Sequence, residues 1–327
     1  MDKVRVGVIG VGYLGKFHTE KYSRMDNVQL IGVVDINRVL AQEVAARFDT
    51  RAFSDYRDLF GQVDAVSIVV PTEDHFIVAA ECLNHDLDVL IEKPMTATLE
   101  QADDLIEIAA SRKRVMQIGH LERFNPAVIA LKDIVHNPMF IEAHRLSIFK
   151  DRSTDVSVVL DLMIHDIDII MNLVKSKIKS IHAAGAPVIC EHADIANVRL
   201  EFESGCVANV TASRISTKNQ RKIRLFQKDA YVSVDFTTRD ITIIRRDESC
   251  AGDLIPGMDI RPLSFSEADV LEDELVSFIQ AVSTRQAPVV SGNAGRQALE
   301  VALSITDQIN IAIKPYLDQG LSEFEKT

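Results

Sequence analysis

Three short stretches of this 327-residue chain carry side chains whose types and spacing suit them to chemistry. The first is VVLDLMIHDIDIIMNLV, residues 158–174, where twelve of seventeen positions are apolar yet three aspartates, a histidine and an asparagine are embedded. Ionisable groups are costly to bury without partners. At the helical repeat, Asp161, His165, Asp168 and Asn172 fall on one face. The segment therefore reads as a buried helix whose one polar ridge either faces a crevice or pairs with charges from elsewhere in the chain. A carboxylate beside an imidazole on such a ridge suits proton transfer, the aspartate orienting the ring and stabilising its charged form. Asp166 lies off the ridge and needs a partner of its own, a backbone group or an arginine. A metal would use the same residue types, but no second His or Cys cluster is near, so none is expected.

The second stretch is GVGYLG, with Gly10, Gly12 and Gly15 after the strand-like run KVRVGVI. A lone GxGxxG is a weak signal. Here a strand precedes it, a helix follows, and Asp35 ends the next strand. The first glycine permits the tight turn, the second lets backbone approach a pyrophosphate, and the third allows close helix–strand packing. Tyr13 and Leu14 lie within the loop, and the helix N-terminus beyond it faces the phosphates. Asp35 suits the ribose hydroxyls of NAD and would repel the 2′-phosphate of NADP, although Arg38 stands close enough to oppose that preference. NAD is expected.

The third is LIEKPM, residues 90–95, in which Lys93 is held between an apolar strand and a proline that biases it toward extended geometry. Ligands of open α/β sheets bind outside the carboxyl ends of the strands. Glu92 and Lys93 at one strand end, and Pro71, Thr72 and His75 of VVPTEDH at another, are thus expected at the cofactor edge. For His75, helix capping or packing is an equal alternative.

The elements that must position these groups are legible in outline. Runs at 3–9, 28–35, 64–70, 88–92 and 114–119 are short, apolar and β-branched, and amphipathic stretches such as 37–48 and 98–111 alternate with them. That pattern predicts a parallel sheet covered on both faces. After about residue 121 the alternation stops. Strand-like runs at 139–149, 178–189, 194–202, 205–213, 221–228, 230–236 and 240–246 follow in hairpin order, and helical patterns at 268–284 and 294–314 close the chain. The expected fold is α/β: a Rossmann dinucleotide-binding domain over residues 1–121, then an α+β domain with an open, mostly antiparallel sheet over 122–327.

The sequence resembles the glucose–fructose oxidoreductase/inositol dehydrogenase (Gfo/Idh/MocA) family of NAD(P)-dependent sugar dehydrogenases over essentially its whole length. GVGYLGKFH, VPTEDH, EKPM and DLMIHDID carry the resemblance, the last two in this order being specific to the family. The resemblance implies that Lys93 is the family's catalytic lysine and that Asp161 and His165 are its D-x-x-x-H pair. It also implies a sugar hydroxyl as the reacting group, a second domain that covers the nicotinamide, and assembly into a homodimer or homotetramer. The run FKDRSTDVSVVLDLMIHDID is most similar to that of nucleotide-sugar 3-dehydrogenases within the family, with inositol dehydrogenases as the alternative and a non-catalytic NAD(H)-binding regulator as a rival class.

Basic and polar residues around these stretches fit an anionic sugar: His120, Arg123, Asn125, Lys150, Arg152 and Arg214, with Asp168 on the ridge. Arginine forks match phosphate geometry, although each of these residues could equally be an ordinary surface group. The net charge of −12 argues against nucleic acid or an anionic membrane as partner. No apolar run is long enough to span a bilayer, and no leader pattern opens the sequence. Cys82, Cys190, Cys206 and Cys250 are widely spaced, as free thiols of a reducing cytoplasm would be.

Overall fold

Six short strands lie in the N-terminal part of the chain: β1 (Val4–Ile9), β2 (Val28–Val34), β3 (Arg51–Phe53), β4 (Ala65–Ile68), β5 (Asp88–Glu92) and β6 (Met116–Gly119). They form a parallel sheet in the order β3-β2-β1-β4-β5-β6. Between them run α1 (Gly15–Arg24), α2 (Arg38–Arg47), α3 (Thr72–Asn84) and α4 (Leu99–Arg112). The strands β4, β5 and β6 are buried at every position, β6 although it ends the sheet, which is why they read as apolar runs. The order reverses between β1 and β4, which opens a crevice at their carboxyl ends.

The computed structural model describes residues 3–149, 156–247 and 257–324; Lys150, Arg152 and Cys250, singled out above, lie outside them. The chain divides into two compact units, but not at a single point near residue 121. The first comprises Met1–Phe124 together with Asp269–Leu299, and the second Asn125–Ala268 together with Glu300–Thr327. The return of the C-terminal segment has a packing cause. Helix α7 (Val270–Thr284) buries Leu275, Phe278, Ile279 and Val282 in the same apolar cluster as Val4, Val6, Val8 and Tyr22. Helix α8 (Gly292–Phe324) begins in the first unit and continues in the second. Its start is fitted closely: a Cβ on Gly295 would sit 2.7 Å from the Ile118 side chain.

The second unit is built on eight strands: β7 (Phe140–Leu146), β8 (Ile178–Ala186), β9 (Ile195–Phe202), β10 (Val207–Ser213), β11 (Gln220–Gln227), β12 (Ala230–Asp235), β13 (Asp240–Arg246) and β14 (Met258–Ser264). Their order is β14-β13-β12-β11-β7-β10-β9-β8, antiparallel except for the parallel pair β7–β10. Burial alternates along β9 and β10, so Ala196, Val198, Leu200, Ala208, Val210 and Ala212 form one covered face. Against β10 packs a turn of π-helix, Val159–Met163, which leads into α6 (Ile164–Val174); α6 also meets α5 (Pro126–Ile134). Among the described residues no helix is long and apolar enough to cross a membrane.

Candidate active site

The glycine loop is built by exclusion. A methyl group on Gly15 would lie 1.9 Å from the Gly10 carbonyl oxygen, and one on Gly10 would lie 2.6 Å from the Val69 carbonyl oxygen, where φ is also +86°. These two glycines let α1 and the end of β4 close on the turn. Gly12 differs: a methyl there would meet nothing within 4 Å. The space beside Gly12 is therefore left open at the start of α1, where unsatisfied amides favour an anion. Asp35, half-buried, braces the loop. Its Oδ2 accepts from Val11 N–H at 3.0 Å and its Oδ1 from Asn37 N–H at 2.9 Å. Each oxygen keeps acceptor capacity for a ribose hydroxyl. Tyr13, 70% exposed, meets Phe17 edge to face at 5.5 Å, and Leu14 is the N-cap of α1. Arg38 opens α2, Pro71 is the N-cap of α3 and Thr72 its first residue. These groups share the carboxyl edge of the first sheet, and a pyrophosphate-bearing nucleotide fits the open cradle.

Lys93 is half-buried immediately beyond β5, joined to Pro94 by a cis peptide bond. Glu92 departs from its expected place at the cofactor edge. It is 8% exposed, its Oε2 accepts from Lys93 N–H at 3.3 Å, and its Oε1 lies 3.2 Å from Nε2 of the fully buried His18. Its carboxylate fills the space left by Gly119, whose Cβ would lie 3.0 Å from it. Glu92 thus anchors the lysine turn from inside. His75 also departs from a cofactor contact: it is 1% exposed and both ring nitrogens face main-chain carbonyls. His120 and Arg123, just past β6, are buried at 1% and 8% exposure.

In the second unit Asp161 and His165 are half-buried, with Asn172 on the same side, and Asp168 is 1% exposed. The wider π turn around Asp161 was not foreseen, but four residues bring a side chain back near the same azimuth in either helix type, so the ridge survives. Asp166 is the exception the spacing singled out, and its partner is an arginine. Arg145 on β7 donates from Nε and Nη2 to the Asp166 carboxylate at 3.0 and 2.8 Å, with both side chains at most 3% exposed. Two expected substrate residues are instead committed to the fold. The Arg214 guanidinium donates to the carbonyls of Val156 and Ala193 and sits 3.4 Å from the buried Asp194 carboxylate. Asn125 caps α5, accepting from Ala127 N–H at 3.0 Å, and donates to the Phe236 carbonyl. Among the described residues no group of three or more His, Cys, Asp or Glu side chains could hold a metal.

Sequence reading missed a buried polar group in the first unit. Glu274 on α7 is fully buried and its carboxyl oxygens have no hydrogen-bond partner among the described residues. Desolvation, then the neighbouring Glu92, push its pKa well above the usual carboxylate range, which favours the protonated form. A glutamate on an amphipathic helix gives no sequence signal of this kind.

Residues 4–120 match the domain described as "Oxidoreductase family, NAD-binding Rossmann fold" of the Gfo/Idh/MocA group, and residues 134–233 match its C-terminal domain. The UDP-N-acetylglucosamine 3-dehydrogenase of Acidithiobacillus ferrooxidans is 38% identical over 320 residues, 98% of this chain and 100% of that protein. Its crystal structure superposes with a TM-score of 0.89 over 95% of this chain and 99% of that one. The myo-inositol 2-dehydrogenase of Thermotoga maritima is 27% identical, the match spanning 90% of this chain and 93% of that protein.

Proposed function

The chain belongs to the Gfo/Idh/MocA family of NAD-binding oxidoreductases, and we propose that it oxidises a ring hydroxyl of a nucleotide-linked sugar, at C3 of a UDP-N-acetylhexosamine. The observation that carries this reading is the 38% identity over the full length of a UDP-N-acetylglucosamine 3-dehydrogenase and 98% of this chain.

In the proposed reaction the sugar's C3–H bond breaks as hydride leaves, its O–H bond breaks as a proton leaves, and a ketone forms. NAD, when bound, accepts the hydride. The chain supplies the rest. His165 takes the hydroxyl proton, a step worth about 10²–10⁴-fold in the usual range, and Asp161 orients the imidazole and stabilises its cationic form. The Lys93 ammonium donates to the reacting oxygen and stabilises the alkoxide as it develops. Asp35 would hold the adenosine ribose and favour NAD over NADP, and the open space at Gly12 would admit the pyrophosphate.

A second reading, oxidation of an inositol, is favoured by the 27% identity to the Thermotoga maritima enzyme over nearly its whole length. Incubation with NAD and a panel of UDP-sugars and inositols, following absorbance of the reduced nicotinamide, separates the two. UDP-N-acetylglucosamine or a close relative should support turnover and free inositols should not; turnover confined to inositols would replace the first reading with the second.

A further inference from the structure

His75 lies in the first turn of α3, in the segment that leads away from the cofactor edge, and is 1% exposed. Its Nδ1 is 2.9 Å from the Pro94 carbonyl oxygen and its Nε2 is 2.9 Å from the Val70 carbonyl oxygen. Those carbonyls belong to the loops that follow the paired strands β4 and β5. One of them is the residue next to Lys93. The ring therefore bridges the loop that opens α3 and the loop that presents the lysine.

A carbonyl oxygen only accepts, so each contact needs an N–H from the ring. A neutral imidazole has one N–H and an imidazolium two. Burial lowers the His75 pKa below its ordinary value; the two carbonyls oppose this, as do Glu92 from β5 and Asp74 from its own helix, without reversing it. The neutral ring with a single N–H is thus the resting form near pH 7. The Val70 side has main-chain bonds of its own, Val69 N–H to the Ile9 carbonyl at 2.8 Å and Asp74 N–H to the Pro71 carbonyl at 2.9 Å. At the lysine turn the described bonds come from side chains, the Glu92 carboxylate and His75.

We propose that His75 is a positioning residue: its Nδ1–H, donated to the Pro94 carbonyl, holds the Lys93–Pro94 turn and so sets where the Lys93 ammonium acts. The inference rests on the role given to Lys93 in the proposed function. Displacement of such a group by even about 1 Å can cost about 10²-fold in rate.

Three substitutions test it. His75→Asn keeps an amide donor near the position of Nδ1, His75→Gln keeps one near the position of Nε2, and His75→Leu keeps neither. The expected kcat is within about threefold of wild type for Asn and about 10–100-fold lower for Gln and Leu, with NADH affinity and sugar KM nearly unchanged. An undiminished kcat in the Leu variant, or a Gln variant faster than Asn, would overturn the proposal. A second readout does not depend on turnover: acetylation of Lys93 by limiting acetic anhydride, followed by peptide mass spectrometry. Gln and Leu should alter the rate at Lys93 by about threefold or more relative to the other lysines, and Asn should not. A wild type that oxidises no sugar but shows this labelling pattern would remove the functional reading and keep the positioning role. Equal Lys93 labelling in all four proteins would remove the positioning role whatever the substrate.

Discussion

The glycine loop and the polar helix look alike in sequence, each a short apolar stretch interrupted by residues suited to chemistry, yet they are built on opposite plans. The loop works through space. Gly10 and Gly15 are packed against main chain, Gly12 faces an opening, and the carboxylate beside the loop, Asp35, is braced by two N–H donors. The helix works through partners. Asp166 is sealed against Arg145, while Asp161 and His165, on another face of the same segment, stay half-buried. The same contrast separates Arg214, bound to Asp194 and two carbonyls, from Lys93, half-buried at a strand end. Charge buried against a partner, as in Arg145–Asp166 and Arg214–Asp194, holds the fold; the half-buried groups are the ones exposed enough for chemistry.

Five substitutions would break or sharpen that comparison. The largest effect belongs to Lys93→Met, which should abolish measurable turnover while NADH titration by fluorescence gives an affinity close to wild type. Loss of both together would make Lys93 a structural or cofactor-holding residue. Arg145→Met should cost stability, because it strands the Asp166 carboxylate in the interior: breaking a buried pair in this way costs about 3–5 kcal/mol, read from urea unfolding. A change below about 0.5 kcal/mol, typical of surface substitutions, would mean the pair is not a structural bolt.

Gly12→Ala should leave the melting temperature unchanged, since its methyl meets no protein atom within 4 Å, yet raise the NADH dissociation constant about tenfold or more by occupying the space of the pyrophosphate. Gly15→Ala should do the reverse and lower the melting temperature first. Swapped outcomes would contradict the reading of the loop. The smallest effect is that of Glu274→Gln. The folded protein raises the Glu274 pKa, so it holds a proton that the unfolded chain releases above about pH 4.3. Wild-type stability supplied by this group is therefore complete at acid pH and declines as pH rises toward the folded-state value. The permanently neutral glutamine should match wild type in urea near pH 4 and exceed it increasingly toward pH 9; a constant offset would place the charge elsewhere.

Much of the architecture was legible because burial writes itself into residue type. β4, β5 and β6 are covered on both sides and read as apolar runs, and β9 shows the alternation of a sheet with one covered face. Two strands escaped notice for physical reasons. β3 is three residues long and largely exposed, and β14 is an edge strand whose Pro262, opposite Thr242, resembles a breaker and is tolerated because an edge leaves one side unpaired. The return of Asp269–Leu299 to the first unit depends on contacts far apart in sequence and leaves no local trace.

The candidate site was legible where spacing fixes direction: the glycines, Asp35, and the Asp161–His165 register. It was not where a side chain's fate depends on a distant partner. Glu92, Asn125 and Arg214 looked available, and each is taken up by main chain or by a buried charge; His75, for which packing was an equal alternative, takes that alternative. Only Asp166 announced its need, through its angle on the helix; Arg145 as its partner required the structure.

The most direct test of the proposed reaction is to supply UDP-N-acetylglucosamine carrying deuterium at C3, with NAD, and to examine both products by mass spectrometry. The account predicts deuterium on the reduced nicotinamide and a 3-keto sugar nucleotide lighter than the deuterated substrate by about three mass units, the loss of one deuterium as hydride and one hydroxyl proton. Reduced nicotinamide without deuterium, or no keto product while an inositol is oxidised, would contradict it.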